Sequence, residues 1–389
     1  MSISLVTGVT GFLGRHIAAR MLRNRPQAQL WCLVRAEDEG RGRERLLRSL
    51  AKVLSEQELA AVEHRLKVLP GDLCLDSLGL SDDHRKEVLS AVTEVLHCAA
   101  DVRFNQDLDD ARARNVEGSR KIAELARSIA AEGRLARLDW VGTAFVAGLR
   151  RDCVLEGELV HAAGWKNSYE QSKYEAEQLL REEYSDLPVT VFRPSVIVGE
   201  SSTGATSNFG MLYWPVQLYA RGWWRTVVGR PETPVDMVPV DYVADAIEYL
   251  SRGQQHLGGT FHLAAGPEGV VTIGELAELC RQYFGGGAPR YIAPDTFMRW
   301  IRPVVDLFIW GRRRRVIRAG GAFFVPYFDG NPIFDVTESS AALKSAGIKP
   351  PRVRDYIEVL FDYCVETDFG RRPPKPPGRA QGAPSVSAA

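Results

Sequence analysis

Tyr169 and Lys173 stand four residues apart in Tyr169-Glu170-Gln171-Ser172-Lys173, a spacing that puts both side chains on one helix face, a turn apart. Such a pair suits carbonyl reduction, in which the oxygen needs a proton as hydride reaches the carbon. A phenol with its ordinary pKa of about 10 gives up its proton poorly near neutrality. The neighbouring ammonium is expected to favour phenolate and lower that value, and to hydrogen-bond a nicotinamide ribose as well. Thr143, in Trp140-Val141-Gly142-Thr143-Ala144-Phe145, follows a strand-like run and offers a second hydroxyl to the developing oxyanion. Asn115, read as the head of its helix, would support a bound water and a proton path. A Tyr-x-x-x-Lys pair arises often by chance, so its meaning depends on what precedes it.

What precedes it is a glycine-rich turn. Ser2–Thr7 reads as a strand and runs into Gly8-Val9-Thr10-Gly11-Phe12-Leu13-Gly14 and then a helix. The spacing differs by one residue from the G-x-G-x-x-G dinucleotide fingerprint, with the same physics. Gly8 permits the tight turn, Gly11 lets backbone approach a pyrophosphate, and Gly14 lets the helix pack on the strand. Free N–H groups and the positive dipole end of the helix then face the phosphates. The second strand, Gln29–Val34, ends not in an acid but in Arg35, whose guanidinium suits a 2′-phosphate, so NADPH is the expected cofactor. Arg41, Arg43 and Arg45 follow closely but read better as a solvated helix face. Asp72, in Gly71-Asp72-Leu73, is placed to accept from an adenine amine. Ala99 and Ala100, after His97-Cys98, leave room for backbone to approach the ribose. His97 itself reads as a hydrogen-bonded core histidine.

These residues need a scaffold. Apolar runs at Leu66–Leu69, Glu94–His97, Arg137–Val141 and Pro188–Arg193 alternate with helical stretches at Leu13–Arg23, Asn115–Ala130 and Tyr169–Glu183. This is the pattern of βαβ units and an α/β, Rossmann-type, doubly wound parallel sheet. Residues 1–195 and 237–265, including a helix over Val240–Leu250 and a strand over Thr260–Ala264, are expected to form the NADP-binding domain. Residues 196–236, with Trp214, Trp223 and Trp224, and 266–369 are expected to form a smaller, discontinuous substrate lobe. Residues 370–389, rich in proline and small polar residues, read as a disordered tail. Within the lobe, Phe297–Trp310 leads into Arg312-Arg313-Arg314-Arg315, then Phe323, Phe324, Tyr327 and Phe328. Three readings of 297–328 stay open. They are a helix packed on the core, an acyl or carrier entrance flanked by phosphate-binding arginines, and a peripheral membrane contact.

Basic and acidic residues number 49 each, so the net charge is zero and a nucleic-acid partner is not expected. The six cysteines form no Cys-x-x-Cys pair and sit at no structural-zinc spacing with histidine, so no metal is expected. Neither a secretory leader nor an apolar run of about 18 residues is evident, and a cytoplasmic protein, with membrane association left open at 297–328, is the expectation.

Taken together the motifs resemble the extended short-chain dehydrogenase/reductases, and within them the thioester-reductase and fatty acyl-CoA reductase (male-sterility-type NAD-binding) branch. The pieces that carry the resemblance are Thr7–Gly14, Leu33–Ala36, His97–Phe104, Gly142–Gly148, Arg193-Pro194-Ser195 through Gly204, and Val235–Val243. They span roughly residues 3 to 265. The resemblance implies that Thr143, Tyr169 and Lys173 form the catalytic set, with Asn115 in support. It also implies cofactor contacts from Thr7, Gly8, Thr10, Gly11, Phe12, Leu13, Gly14, Arg35, Asp72, Leu73, Ala99, Ala100, Pro194, Ser195 and Val196, besides Tyr169 and Lys173. Gly142 departs from a position where the branch often has serine. The implied activity is NADPH-dependent reduction of an acyl thioester to aldehyde, or onward to alcohol. The acyl group would arrive on free coenzyme A or on a separate carrier protein. A lipid or steroid alcohol/ketone dehydrogenase, a sugar-nucleotide epimerase or dehydratase, and a non-catalytic dinucleotide-sensing protein are the alternatives. Arg35 and the apolar lobe count against the sugar-nucleotide reading, and the intact hydroxyl pair counts against the sensor.

Overall fold

The apolar runs form strands β1 (Ile3–Thr7), β2 (Gln29–Val34), β3 (Leu66–Pro70), β4 (Glu94–His97), β5 (Arg137–Val141), β6 (Val189–Pro194) and β7 (Thr260–Leu263). In this computed structural model, which describes residues 2–222, 226–301 and 326–374, they lie side by side in the order β7-β6-β5-β4-β1-β2-β3. Every pairing in that sheet is parallel. The order reverses between β1 and β4, which opens a crevice beyond their carboxyl ends.

Helices α1 (Phe12–Asn24), α2 (Glu39–Leu50), α3 (Leu108–Ala131), α4 (Ser168–Glu183) and α5 (Val240–Leu250) cover the two faces. Ile17, Leu46 and Ile247 pack with Val6 and Val68 on one face. Ile122, Leu125 and Leu180 pack with Leu5 and Leu138 on the other. Adjacent residues such as Leu5 and Val6 thus point to opposite layers that are both apolar, which is why the strands read as unbroken hydrophobic runs.

One helix boundary differs from the sequence reading. α3 starts at Leu108 after Asp107, so Asn115 lies two turns inside the helix rather than at its head. The first two turns are mostly polar and only Ala111 among 108–114 is buried, so they carry no apolar period to read. Asp109 and Asp110 suit the positive end of the helix instead.

Beyond that sheet, short parallel pairings join Val196–Val198 to Met237–Pro239 and Cys153–Val154 to Ile333–Phe334. Three further helices are α6 (Ile273–Phe284), α7 (Thr337–Leu343) and α8 (Val353–Glu366). Leu276 and Cys280 of α6 pack with Tyr356, Leu360 and Phe361 of α8. α7, inside the stretch expected as lobe, buries Leu343 in the same core as α5. The buried Glu156 carboxylate accepts from Glu338 N–H (2.6 Å) and Ser339 N–H (3.1 Å) at the start of α7 and from His262 N–H (2.8 Å) in β7. That carboxylate thus ties the start of α7 to β7. The first residues of the expected tail are held in a turn, with Arg372 N–H on Thr367 O at 2.9 Å. Residues 375–389 lie outside the described residues, as do Trp223, Trp224, Trp310, Phe323, Phe324 and the arginine run at 312–315. Among the described residues no helix is long and apolar enough to cross a membrane.

Of the four buried histidines, three are held far below the ordinary imidazole pKa. Burial is the main cause in each, pushing His97 down to about 3 and His16 and His262 to about 4. The unfolded chain takes up their protons near pH 6.5, while the folded chain resists until pH 4 or below. Stability should therefore fall as pH drops from about 6.5 towards 4. Thermal unfolding across that range checks this; replacing His97 by glutamine should flatten the decline.

Candidate active site

The glycine loop follows from space as much as from conformation. Gly8 has φ of +74°, and a Cβ there would meet Ala99 N at 2.6 Å. A Cβ at Gly14 would meet Gly8 O at 2.1 Å, so the first turn of α1 packs directly on the loop. Gly11 caps α1 without a side chain, leaving the helix's first N–H groups open towards the crevice. A cradle with no room for side chains and unpaired donors at its floor fits a pyrophosphate, and hence a dinucleotide.

Two adjoining clefts run along the carboxyl ends of the strands. The first is lined by Thr7, Gly8, Thr10, Gly11, Arg35, Asp72, Leu73, Ala99 and Ala100. The second is lined by Phe12, Leu13, Gly14, Thr143, Tyr169, Lys173, Pro194, Ser195 and Val196. Every expected site residue except Asn115 therefore borders one of these clefts. Thr7 uses its hydroxyl on His97 Nδ1 (2.7 Å) and Ala99 N–H (3.3 Å), tying β1 to β4 beneath the cofactor position. Asp72 accepts from Cys74 N–H at 2.9 Å, which holds its loop.

Arg41, Arg43 and Arg45 are all exposed, as expected of a solvated helix face. Arg41 pairs with Glu37 and Arg43 with Glu63, both at the surface, as a solvated face would. Arg45 instead donates to Arg35 O (2.7 Å) and lines the first cleft beside Arg35. Arg45 lies one turn beyond Arg41 in a helix that begins at Glu39, four residues after Arg35.

At the catalytic end, Thr143 is buried and donates weakly to Pro194 O at 3.5 Å. It borders the same cleft as Tyr169 and acts to lower the phenol's pKa. Lys173, 1% exposed, donates to Val141 O at 2.8 Å, with its ammonium 3.9 Å from the centre of the Trp140 ring. Asn115 stands behind them. Its amide nitrogen donates to Ser172 Oγ (2.9 Å) and Asp101 O (3.0 Å), and its oxygen accepts from Asp101 N–H (2.8 Å). It buttresses α4 with both ends of its amide committed to protein.

The phenol is not activated as the spacing suggested. Burial, the largest cause, pushes Tyr169 up to about 12, and the neighbouring Thr143 hydroxyl offsets only part of this. Burial likewise brings Lys173 down to about 7, so near neutrality the ammonium is only partly populated. Sequence spacing gives the distance between the two groups but not the dielectric around them. The phenol is thus kept protonated, which is the form a proton donor needs.

Trp140 also accounts for Gly142. A Cβ on Gly142 would lie 2.5 Å from the indole, which occupies the space a serine would need. Gly142→Ser should therefore push Trp140 off Lys173 and lower both the unfolding midpoint and kcat. Adding Trp140→Leu, which clears the space, should restore the midpoint without restoring kcat.

The profile of the male sterility protein family matches residues 6–247. A probable fatty acyl-CoA reductase of Arabidopsis thaliana is 25% identical over 350 residues, covering 72% of this chain and 70% of that protein. A non-canonical nonribosomal peptide synthetase of Aspergillus hancockii is 29% identical over 314 residues. That match covers 76% of this chain but only 29% of the synthetase's length. In structure, the terminal R domain of the myxalamid PKS-NRPS pathway superposes with a TM-score of 0.81 at 27% identity, over 96% of this chain and 92% of that one.

Proposed function

Because the chain belongs to the male sterility protein family, in the thioester-reductase branch of the extended short-chain dehydrogenase/reductases, we propose that it reduces an acyl thioester with NADPH to the aldehyde or the alcohol. The observation that carries this reading is an apolar cavity beside the Thr143/Tyr169 cleft. It is walled by Met211, Leu212, Met237, Leu276 and Phe334 and shares Met211, Leu212 and Tyr327 with the cleft. Its apolar lining favours an acyl chain over a sugar. The parts at 196–236 and 266–369 that wall the cavity are taken as the substrate lobe.

In this reading the glycine loop and α1 hold the pyrophosphate, Arg35 and Arg45 the 2′-phosphate, and Tyr169 and Lys173 the nicotinamide ribose. NADPH, when bound, supplies the hydride. Thr143 and Tyr169 hydrogen-bond the carbonyl oxygen, polarising it and stabilising the charge that develops there. Tyr169, protonated throughout the neutral range, delivers the proton. The resulting thiohemiacetal loses thiol to leave the aldehyde. Lys173, anchored on Val141 O and Trp140, sets the side on which the ribose lies. The thioester arrives on coenzyme A or on a carrier protein.

NADPH oxidation by the purified chain, with acyl-CoA thioesters of graded length and a free-thiol assay in parallel, tests the reading. Turnover with one thiol released per acyl group reduced supports it. Turnover of a steroid or lipid ketone, with no thiol released from any thioester, would replace it with the lipid alcohol dehydrogenase reading.

A further inference from the structure

Tyr327 is separated from Glu170 by 157 residues, yet its hydroxyl donates to Glu170 Oε1 at 2.6 Å. The same hydroxyl accepts from Asn167 Nδ2 at 2.7 Å. Asn167 caps α4, its Oδ1 receiving Glu170 N–H at 3.0 Å, and Glu170 Oε2 receives Lys166 N–H at 3.1 Å. The first turn of the helix that carries Tyr169 and Lys173 therefore closes on one phenol from the lobe.

The ring of Tyr327 reaches the other catalytic segment as well. It packs edge-on against Phe145 at 5.7 Å, and Phe145 N–H donates to Thr143 Oγ1 at 3.3 Å. It stacks on Phe104 at 6.0 Å, which in turn packs on Tyr169 at 5.7 Å. Lys166 Nζ lies 4.8 Å from the ring centre and donates to Asn331 Oδ1 at 2.9 Å. Asn331 Nδ2 returns to Tyr327 O and Pro234 O, both at 2.8 Å. Glu170 is fully buried and Tyr327 only 6% exposed. A buried carboxylate is costly unless its partners are in place, so Glu170 depends on the hydroxyl that Tyr327 supplies.

We propose that Tyr327 is a positioning residue through which the substrate lobe sets α4, and with it Tyr169, against Thr143. The proposal deepens the reading of the cleft given above and rests on it. Because Tyr327 also borders the apolar cavity, an acyl chain lying there touches the residue that aligns the proton donor.

Tyr327→Phe keeps the ring and removes both hydrogen bonds. In the full chain, kcat is expected to fall about tenfold to a hundredfold, the scale of a small misplacement of reacting groups. NADPH affinity should be retained, and hydrogen exchange should quicken in the first turn of α4 but not across the sheet. Glu170→Gln, which still offers the phenol an oxygen, should lose less than Glu170→Ala. Combining Tyr327→Phe with Glu170→Ala should cost little more than the worse single change. Unchanged kcat and unchanged exchange at 166–173 in Tyr327→Phe would overturn the proposal. So would a loss of NADPH binding with exchange raised throughout, which marks a merely structural role. Should the wild type reduce only a ketone, thioester reduction fails as the function, and Tyr327 is judged on that ketone and on exchange.

Discussion

Replacing Tyr169 by phenylalanine is expected to cut kcat about 10²- to 10⁴-fold, the usual worth of a positioned proton donor, while NADPH still binds. At roughly 1.4 kcal/mol per decade, this is the largest single loss expected from any side chain in the cleft. Burial holds the phenol at about 12, so it stays protonated through the neutral range, in the same cleft as Thr143. Thr143 cannot replace it, since a hydroxyl stabilises an oxyanion but does not readily protonate it. The ring of the variant fills the same space against Phe104, so the fold should be kept. Steady-state turnover beside an NADPH titration by fluorescence makes the check. Lost binding would show that Tyr169 shapes the cofactor cleft rather than donating a proton.

The second large effect concerns the cofactor's phosphate. Arg35→Ala with Arg45→Ala should weaken NADPH binding about tenfold to a hundredfold, from two charge-assisted hydrogen bonds partly screened by solvent. NADH, which lacks the 2′-phosphate, should bind the variant as it binds the wild type. The loss should shrink as salt rises, because both side chains are exposed. Equal weakening of both cofactors would place the arginines on the pyrophosphate or in the fold. No change for either would make NADH the natural reductant.

Much of this site was legible before any coordinates. The glycine turn, the strand ending in Arg35, and Thr143, Tyr169 and Lys173 all sit where short-range pattern put them. Their meaning depends on neighbours within a few residues along the chain, through the i, i+4 repeat of a helix or the approach of backbone at a glycine. The strands were legible because a sheet covered on both faces demands unbroken apolar runs. The start of α3 was not, because an exposed polar helix end has no period.

Other features depended on contacts between distant segments. Arg45 is a solvated arginine, yet its guanidinium also reaches Arg35 O, a contact that spacing alone does not give. Gly142 looked like a missing serine until the Trp140 ring filled the space. The protonation states of Tyr169 and Lys173 ran against the expectation from their spacing. The sequence by itself determined the fold class, the glycine turn and the candidates for the reacting groups, since each is a local pattern. Only the tertiary structure decided how those groups are charged and what aligns them. Desolvation is a property of everything packed around a side chain, and the phenol of Tyr327 meets Glu170 only because the chain between them folds back.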